Sequence, residues 1–217
     1  MRKLTFATII LLFIGCASTD SIKERTREYL ETAATRKTSE MSTDIQELQW
    51  TVFDSLAQVA ETVSPDTAFA MLVEFYVKKS EKSRLSTELA VRQYLDVNRL
   101  ALMSCLDSAI YISTGDNDFY PALYLQKVEE VRTDVLIVNN SIAELKKYRE
   151  YLTDDPRIRK LFTDEEWLAG PDSTEKVYDW IAVRKNKLEN DGPNLNIATV
   201  CDRHFKATEY YRRGITW

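Results

Sequence analysis

The chain has 217 residues and a formal net charge of −5, from 29 Lys and Arg against 34 Asp and Glu, a balance that excludes general nucleic-acid binding, which needs a basic surface. Hydrophobic residues at 44% and aromatics at 11% exclude a disordered chain, and the length allows one sizeable core or two small ones. Five glycines, none in GxGxxG or P-loop spacing, exclude a glycine-rich nucleotide loop.

Residues 1–15 read as a secretory signal. Arg2 and Lys3 supply the charged start, and Leu4 to Ile14 is an apolar run shorter than the roughly 20 residues a stable membrane span needs. Phe13-Ile14-Gly15-Cys16 closes the run and resembles a bacterial lipobox. That resemblance implies a diacylated Cys16 as the mature N-terminus, with its lipid as the sole membrane anchor. An ordinary signal peptide with an unrelated cysteine is the alternative. Ala17 and Ser18 lack the aspartate associated with inner-membrane retention, so we expect an exported protein at the outer membrane, facing the periplasm.

Residues 16–42 follow as lipid anchor, tether and stalk helix, the helix being charged and weakly amphipathic from Ile22. Residues 43–107 read as antiparallel helices. In the first, Ile45, Leu48, Val52, Leu56, Val59 and Val63 recur at three- and four-residue steps. Ser64-Pro65 stops it and starts the next, with Ser64 as N-cap and Phe69, Leu72, Val73 and Tyr76 as the buried stripe. A third helix over Leu85–Leu106 is expected to bury Leu85, Leu89, Val91, Leu95, Leu102, Met103 and Leu106.

Residues 108–217 read as a small three-layer α/β domain with a mainly parallel sheet of about three to four strands. Ala109–Ser113 and Val135–Val138 are compact β-prone runs, and a helix from about Tyr120 to Val131 joins them. Near-continuous apolar strands around a helix predict a parallel pair buried on both faces. Ser141 and Glu144 have capping-box spacing for a helix reaching Leu152. The stretch 154–172 reads as irregular, with a short helix near Asp164–Leu168. Thr174–Leu188 reads as a helix, Asn196–Val200 as a third strand and Gly214–Trp217 as a short last one. Cys105 and Cys201 fall at positions too far apart for a disulfide, so two free, mostly buried thiols are expected.

Strands ending near residues 114, 138 and 200 bring their following turns to one edge, where open α/β sheets place ligand sites. That edge collects Asp116, Asn117 and Asp118, then Asn139, Asn140 and Ser141, then Asp202, Arg203 and His204. Carboxylates flanking an amide suit a divalent cation at Asp116 and Asp118, or sugar hydroxyls; they also suit a tight turn, with Asp118 N-capping the following helix. No cofactor is otherwise expected. His204 is the only histidine, so a His-rich zinc site is impossible and any histidine relay must use it. Arg203, Lys206, Arg212 and Arg213 make the C-terminal segment locally basic, suited to an anionic ligand or to a solvated face. No GxSxG nucleophile motif occurs.

One family is legible in this region. Thr114-Gly115-Asp116-Asn117-Asp118-Phe119-Tyr120-Pro121-Ala122-Leu123-Tyr124-Leu125-Gln126, then Arg132-Thr133-Asp134-Val135 and Val138-Asn139-Asn140-Ser141, carry the likeness. They resemble the soluble C-terminal region of a Bacteroidota family of multi-spanning membrane proteins that look like protein O-mannosyltransferases. The resemblance is firm over Ser108–Ser141 and looser from Leu85 to the end. Phe119, Leu123, Lys127 and Glu130 depart from the family's usual threonine, tryptophan, glutamate and glycine, and the membrane portion is missing from this sequence. The resemblance therefore implies the fold of the soluble region and singles out the GDND turn, without the family's activity. We expect a non-catalytic, lipid-anchored module that binds a glycan or a partner in envelope glycan assembly. The alternatives are an Asp-dependent, metal-assisted enzyme acting on a glycoside or phosphate ester, and a purely structural lipoprotein.

Overall fold

The computed structural model describes residues 19–35, 43–80, 83–171, 177–188 and 197–199. The signal segment, Cys16, Cys201, Arg203, His204 and the expected last strand lie outside the described residues. The chain divides into two compact units, residues 1–84 and 85–217.

In the first unit, helices α1 (Thr19–Thr35), α2 (Thr43–Thr62) and α3 (Pro65–Ser80) pack on one another. Their sequences explain the packing. On α1, Ile22, Thr26 and Leu30 recur every four residues and are buried, and the Thr26 hydroxyl donates back to the Ile22 carbonyl at 2.9 Å, so this polar side chain enters the core already satisfied. On α2 the stripe Val52, Leu56 and Val59 is buried as its spacing predicts, widened by Phe53. Ser64 caps α3 as expected, its Oγ accepting the Thr67 N–H at 3.1 Å. Met71, Leu72, Val73, Phe75 and Tyr76 are all buried, more than one helical stripe, because α3 meets both α1 and α2.

The second unit opens with α4 (Arg84–Ser104), followed by β1 (Ile110–Ser113), α5 (Asp116–Lys127), β2 (Leu136–Asn139), α6 (Lys146–Leu152), α7 (Pro156–Leu161), α8 (Asp164–Ala169), α9 (Val177–Leu188) and β3 (Ile197–Thr199). The boundary read from sequence, 107/108, differs from this division by the length of α4. Polar ties join that helix to the strands. Arg132, in the crossover between α5 and β2, donates to the carbonyls of Leu102, Cys105 and Leu106 at 2.8–3.0 Å, and so closes the C-terminal end of α4. Arg99 of α4 pairs with Glu129.

The fold is mostly helical around a small parallel sheet, consistent with α/β. β1 lies in the middle and pairs in parallel with β2, Ile110 opposite Leu136 through Ser113 opposite Asn139. On its other side β1 pairs with β3, Ile110 opposite Ile197. Every residue of β1 and β2 is buried, the pattern expected of parallel strands covered on both faces.

Four expectations are corrected. First, Leu85, Leu89 and Met103 of α4 and Leu106 just beyond it are exposed, and the buried stripe is Thr87, Val91, Leu95, Asn98, Ala101 and Leu102. Hydrophobicity alone misplaced the face, because two polar residues point inward. Second, α5 begins at Asp116 with Gly115 as N-cap, so Asp118 lies in the first turn and does not cap it. Third, α6 begins at Lys146 with Leu145 at its cap and no side-chain cap, so Ser141 and Glu144 form no capping box. Asn139 holds that stretch in a turn instead, its Oδ1 accepting the N–H of Ser141 at 2.9 Å. Fourth, part of 154–172 is helical: Asp155 caps α7 by accepting the Arg157 N–H, with Pro156 at the first helical position. The next short helix, expected near Asp164, also carries a capping box, Thr163 with Glu166.

Behind the sheet edge, α6 and α8 are joined by one buried side chain. The guanidinium of Arg149 donates to the carbonyls of Ala143 and Glu144 at 2.8 Å and of Leu168 at 3.1 Å. Gly170 has φ +80, a conformation that favours glycine, and a Cβ there would stand 2.7 Å from Arg149 Cζ, so the guanidinium would have to shift. Trp167 is fully buried beside it, donates through Nε1 to the Arg149 carbonyl at 2.8 Å, and stacks on Trp180 with ring centroids 5.4 Å apart.

Candidate functional site

The turns after β1 and β2 meet at the C-terminal edge of the sheet, as the strand reading requires. Two hydrogen bonds bind them together: the Asn140 N–H donates to the Ser113 carbonyl at 2.9 Å, and Ser141 Oγ donates to the Thr114 carbonyl at 3.2 Å. β3 is parallel to both strands, so the chain leaves Thr199 at the same edge.

Within that edge the residues divide by what their polar atoms already do. Asp118 accepts at Oδ2 from both the N–H and the hydroxyl of Thr114, each at 3.1 Å. Its carboxylate therefore reaches back over the turn and fixes the last residue before Gly115. Asn139 is buried and holds the turn: its N–H donates to Tyr148 Oη at 2.9 Å, its carbonyl accepts from Ala143 N–H at 2.9 Å, and its Oδ1 accepts from the Ser141 N–H. Asn117 has an exposed side chain, while its backbone carbonyl accepts from Asn98 Nδ2 at 2.9 Å. Asp116 and Asn140 are half-buried. Gly115 is extended at φ −154, and nothing lies within 4 Å of where its Cβ would stand, so the turn is open on that side.

The bond from Asn98 has a local cause. Pro121 sits inside α5 and has no N–H, so the carbonyl four residues earlier, that of Asn117, loses its helical donor. Asn98, buried on α4, supplies the replacement and also donates to the Tyr94 carbonyl at 2.8 Å. Its Oδ1 accepts from the Tyr111 hydroxyl at 3.4 Å. Asn98 and Tyr111 were not among the residues singled out from sequence. The signal that finds them is a proline six residues into a helix, which demands an outside donor.

Two phenols lie under the turn. Burial raises the pKa of Tyr111, with the negative charge of Asp118 adding to it, and burial raises that of Tyr120, with Asp116 adding. Both remain neutral near physiological pH and act as hydrogen-bonding and packing groups. Among the described residues no group of three or more His, Cys, Asp or Glu side chains is placed to hold a metal ion. Cys105 is free and buried behind β1, and burial pushes its thiol up to about 11, with Arg132 partly opposing. Further along the same crossover, the Arg132 guanidinium holds the Asp134 carboxyl well below the usual carboxylate range, helped by the Ser108 N–H.

The arrangement is that of a small parallel α/β unit with a polar, partly open sheet edge. Residues 94–154, from the middle of α4 to the end of α6, match the family model of the TMEM260-associated domain 2. That stretch contains β1, α5, β2 and both turns. No curated protein and no solved structure matches the chain. Among the described residues no helix is long and apolar enough to cross a membrane.

Proposed function

We propose that this chain is a lipid-anchored envelope protein whose α/β unit is a non-catalytic binding or accessory module, related to glycosyltransferase-like proteins. The match of residues 94–154 to a TMEM260-associated domain supports the relation. The state of Asp118 carries the non-catalytic part: its carboxylate is committed to Thr114 at 3.1 Å, and a carboxylate used to fix backbone is poorly placed to move a proton or hold an ion. Asp116, Asn117 and Asn140 stand at the same edge, half-buried or exposed, and carboxylates and amides of this kind suit sugar hydroxyls. In this proposal Arg203 and His204 are further candidate ligand contacts, and helices cover the sheet in three layers. Acylated Cys16 holds the protein at the outer membrane, facing the periplasm.

The test is a thermal-shift and calorimetric screen of the full chain against neutral and acidic glycans, and separately against calcium and magnesium. Binding of a glycan that Asn117→Ala and Asn140→Ala weaken, without turnover, is the expected result. Turnover of a glycoside or phosphate ester lost in Asp116→Asn would replace this reading by a metal-assisted or acid–base enzyme. No ligand at any concentration would leave a structural lipoprotein. Mass spectrometry of the mature N-terminus tests the anchor, since an unacylated Cys16 removes it.

A further inference from the structure

Helix α4 shows solvent a seam of large apolar side chains. Leu85 is 82% exposed, Leu89 60%, Leu100 60% and Met103 61%. On a helix these residues share one side, opposite the buried Thr87, Val91, Asn98 and Leu102. Between the two apolar pairs the same side carries Arg92 and Asp96, both exposed. The seam spans about 27 Å at the usual helical rise.

Its order is self-complementary. Read from either end, the seam runs apolar, apolar, charge, charge, apolar, apolar, with its centre near Tyr94. A second α4 laid antiparallel about that centre brings Leu85 beside Met103 of the other copy and Leu89 beside Leu100. Arg92 then stands level with the other copy's Asp96, and the reverse pair forms by symmetry. A two-fold axis requires this reciprocity of a shared patch. A parallel pairing would instead set Arg92 against Arg92 and Asp96 against Asp96. Within its own helix Arg92 pairs with Glu88 at 2.9 Å, an exposed contact of the kind that contributes little by itself.

We propose that α4 pairs antiparallel with α4 of a second copy of this chain, with Leu85, Leu89, Leu100 and Met103 as the apolar contact and Arg92–Asp96 as the pair that sets direction. Four large side chains per copy put the contact near the lower bound of specific interfaces, about 1,000 Å² in all, so the dimer is weak, with a dissociation constant on the order of micromolar. Charge at the centre gives register and orientation more than strength.

Sedimentation velocity of the full chain over a concentration series tests this, in detergent where the N-terminus carries lipid. The wild-type chain is expected to pass from monomer to dimer. R92D and D96R each place like charges across the axis and should weaken the dimer by about tenfold or more. An equimolar mixture of the two variants should restore it, because one chain is then acidic at the centre and the other basic. L89E should abolish it. All three positions are exposed, and circular dichroism checks that each variant is folded. A wild-type chain that stays monomeric throughout overturns the proposal, as does a dimer indifferent to both charge reversals or a mixture no tighter than either variant alone.

Discussion

Asn98 Nδ2 donates to the carbonyl of Asn117 at 2.9 Å, across from one helix to the first turn of another, at the carbonyl that Pro121 leaves without a helical donor. One side chain on α4 thereby completes the backbone of the turn that follows β1. Asn98→Ala leaves that part-buried carbonyl unserved, takes a partner from the buried Tyr111 hydroxyl, and should destabilise the chain by about 1–3 kcal/mol in urea unfolding. Adding Pro121→Ala should return part of this, because residue 121 then offers its own N–H. Strictly additive effects in the double-mutant cycle would show that the two residues are not coupled in this way.

Asp118 and Asn117 stand side by side and should respond differently. Asp118→Ala removes the acceptor for two donors of Thr114 and should cost about 1–2 kcal/mol of stability. Asn117→Ala removes only an exposed amide, keeps the backbone carbonyl that Asn98 uses, and should stay within about 0.5 kcal/mol of wild type. Chemical denaturation of both variants decides it, and equal losses would contradict the division of roles.

Gly170→Ala should be among the costliest single-methyl additions in the chain. The added carbon would meet Arg149 Cζ at 2.7 Å at a residue with φ +80, and strain of that kind costs about 1–3 kcal/mol. In an Arg149→Met background the steric part should vanish while the backbone part remains, so the measured penalty should fall. Thermal unfolding of the two single variants and the double variant gives the comparison.

Asp134 predicts a pH dependence of definite sign. Its hydrogen bond to Arg132, with the Ser108 N–H adding, lowers its pKa in the folded chain below the unfolded value of about 3.9. The folded state thus binds this proton less readily, so the stabilisation is present above the unfolded pKa and is lost as pH falls toward the folded one. The stability gap between wild type and Asp134→Asn should stay level from neutral pH to about pH 5 and narrow below about pH 4. A gap that widens on acidification would contradict the assignment.

Much of the fold was legible because its strands are short apolar runs between polar turns. Ala109–Ser113 and Val135–Val138 are strands in the structure to within a residue. Ser64-Pro65 declared a helix start by a mechanism that needs no tertiary context. Errors arose where polar side chains were drawn inward. Thr87 and Asn98 turn α4 so that Leu85 and Leu89 face solvent, which no hydrophobic periodicity reveals. At the sheet edge, the convergence of the two turns was legible from strand order, since parallel strands end together. The use of each aspartate was not: whether Asp118 caps its helix or reaches back to Thr114 depends on one residue of helix start, and Gly115 takes the cap.

The central place of β1 bears on how the chain assembles. Its pairing with β2 closes a short stretch joined by one helix, whereas its pairing with β3 waits for residues far along the chain. Closing the nearer pair is entropically cheaper and so favoured to come first. Until β3 arrives, one edge of Ile110-Tyr111-Ile112 is an unpaired apolar strand, open to the edge of another molecule in the same condition. Losses on overexpression or refolding should therefore be set by the delay before that edge is covered, and a truncation that removes β3 should aggregate even though β1, α5 and β2 remain.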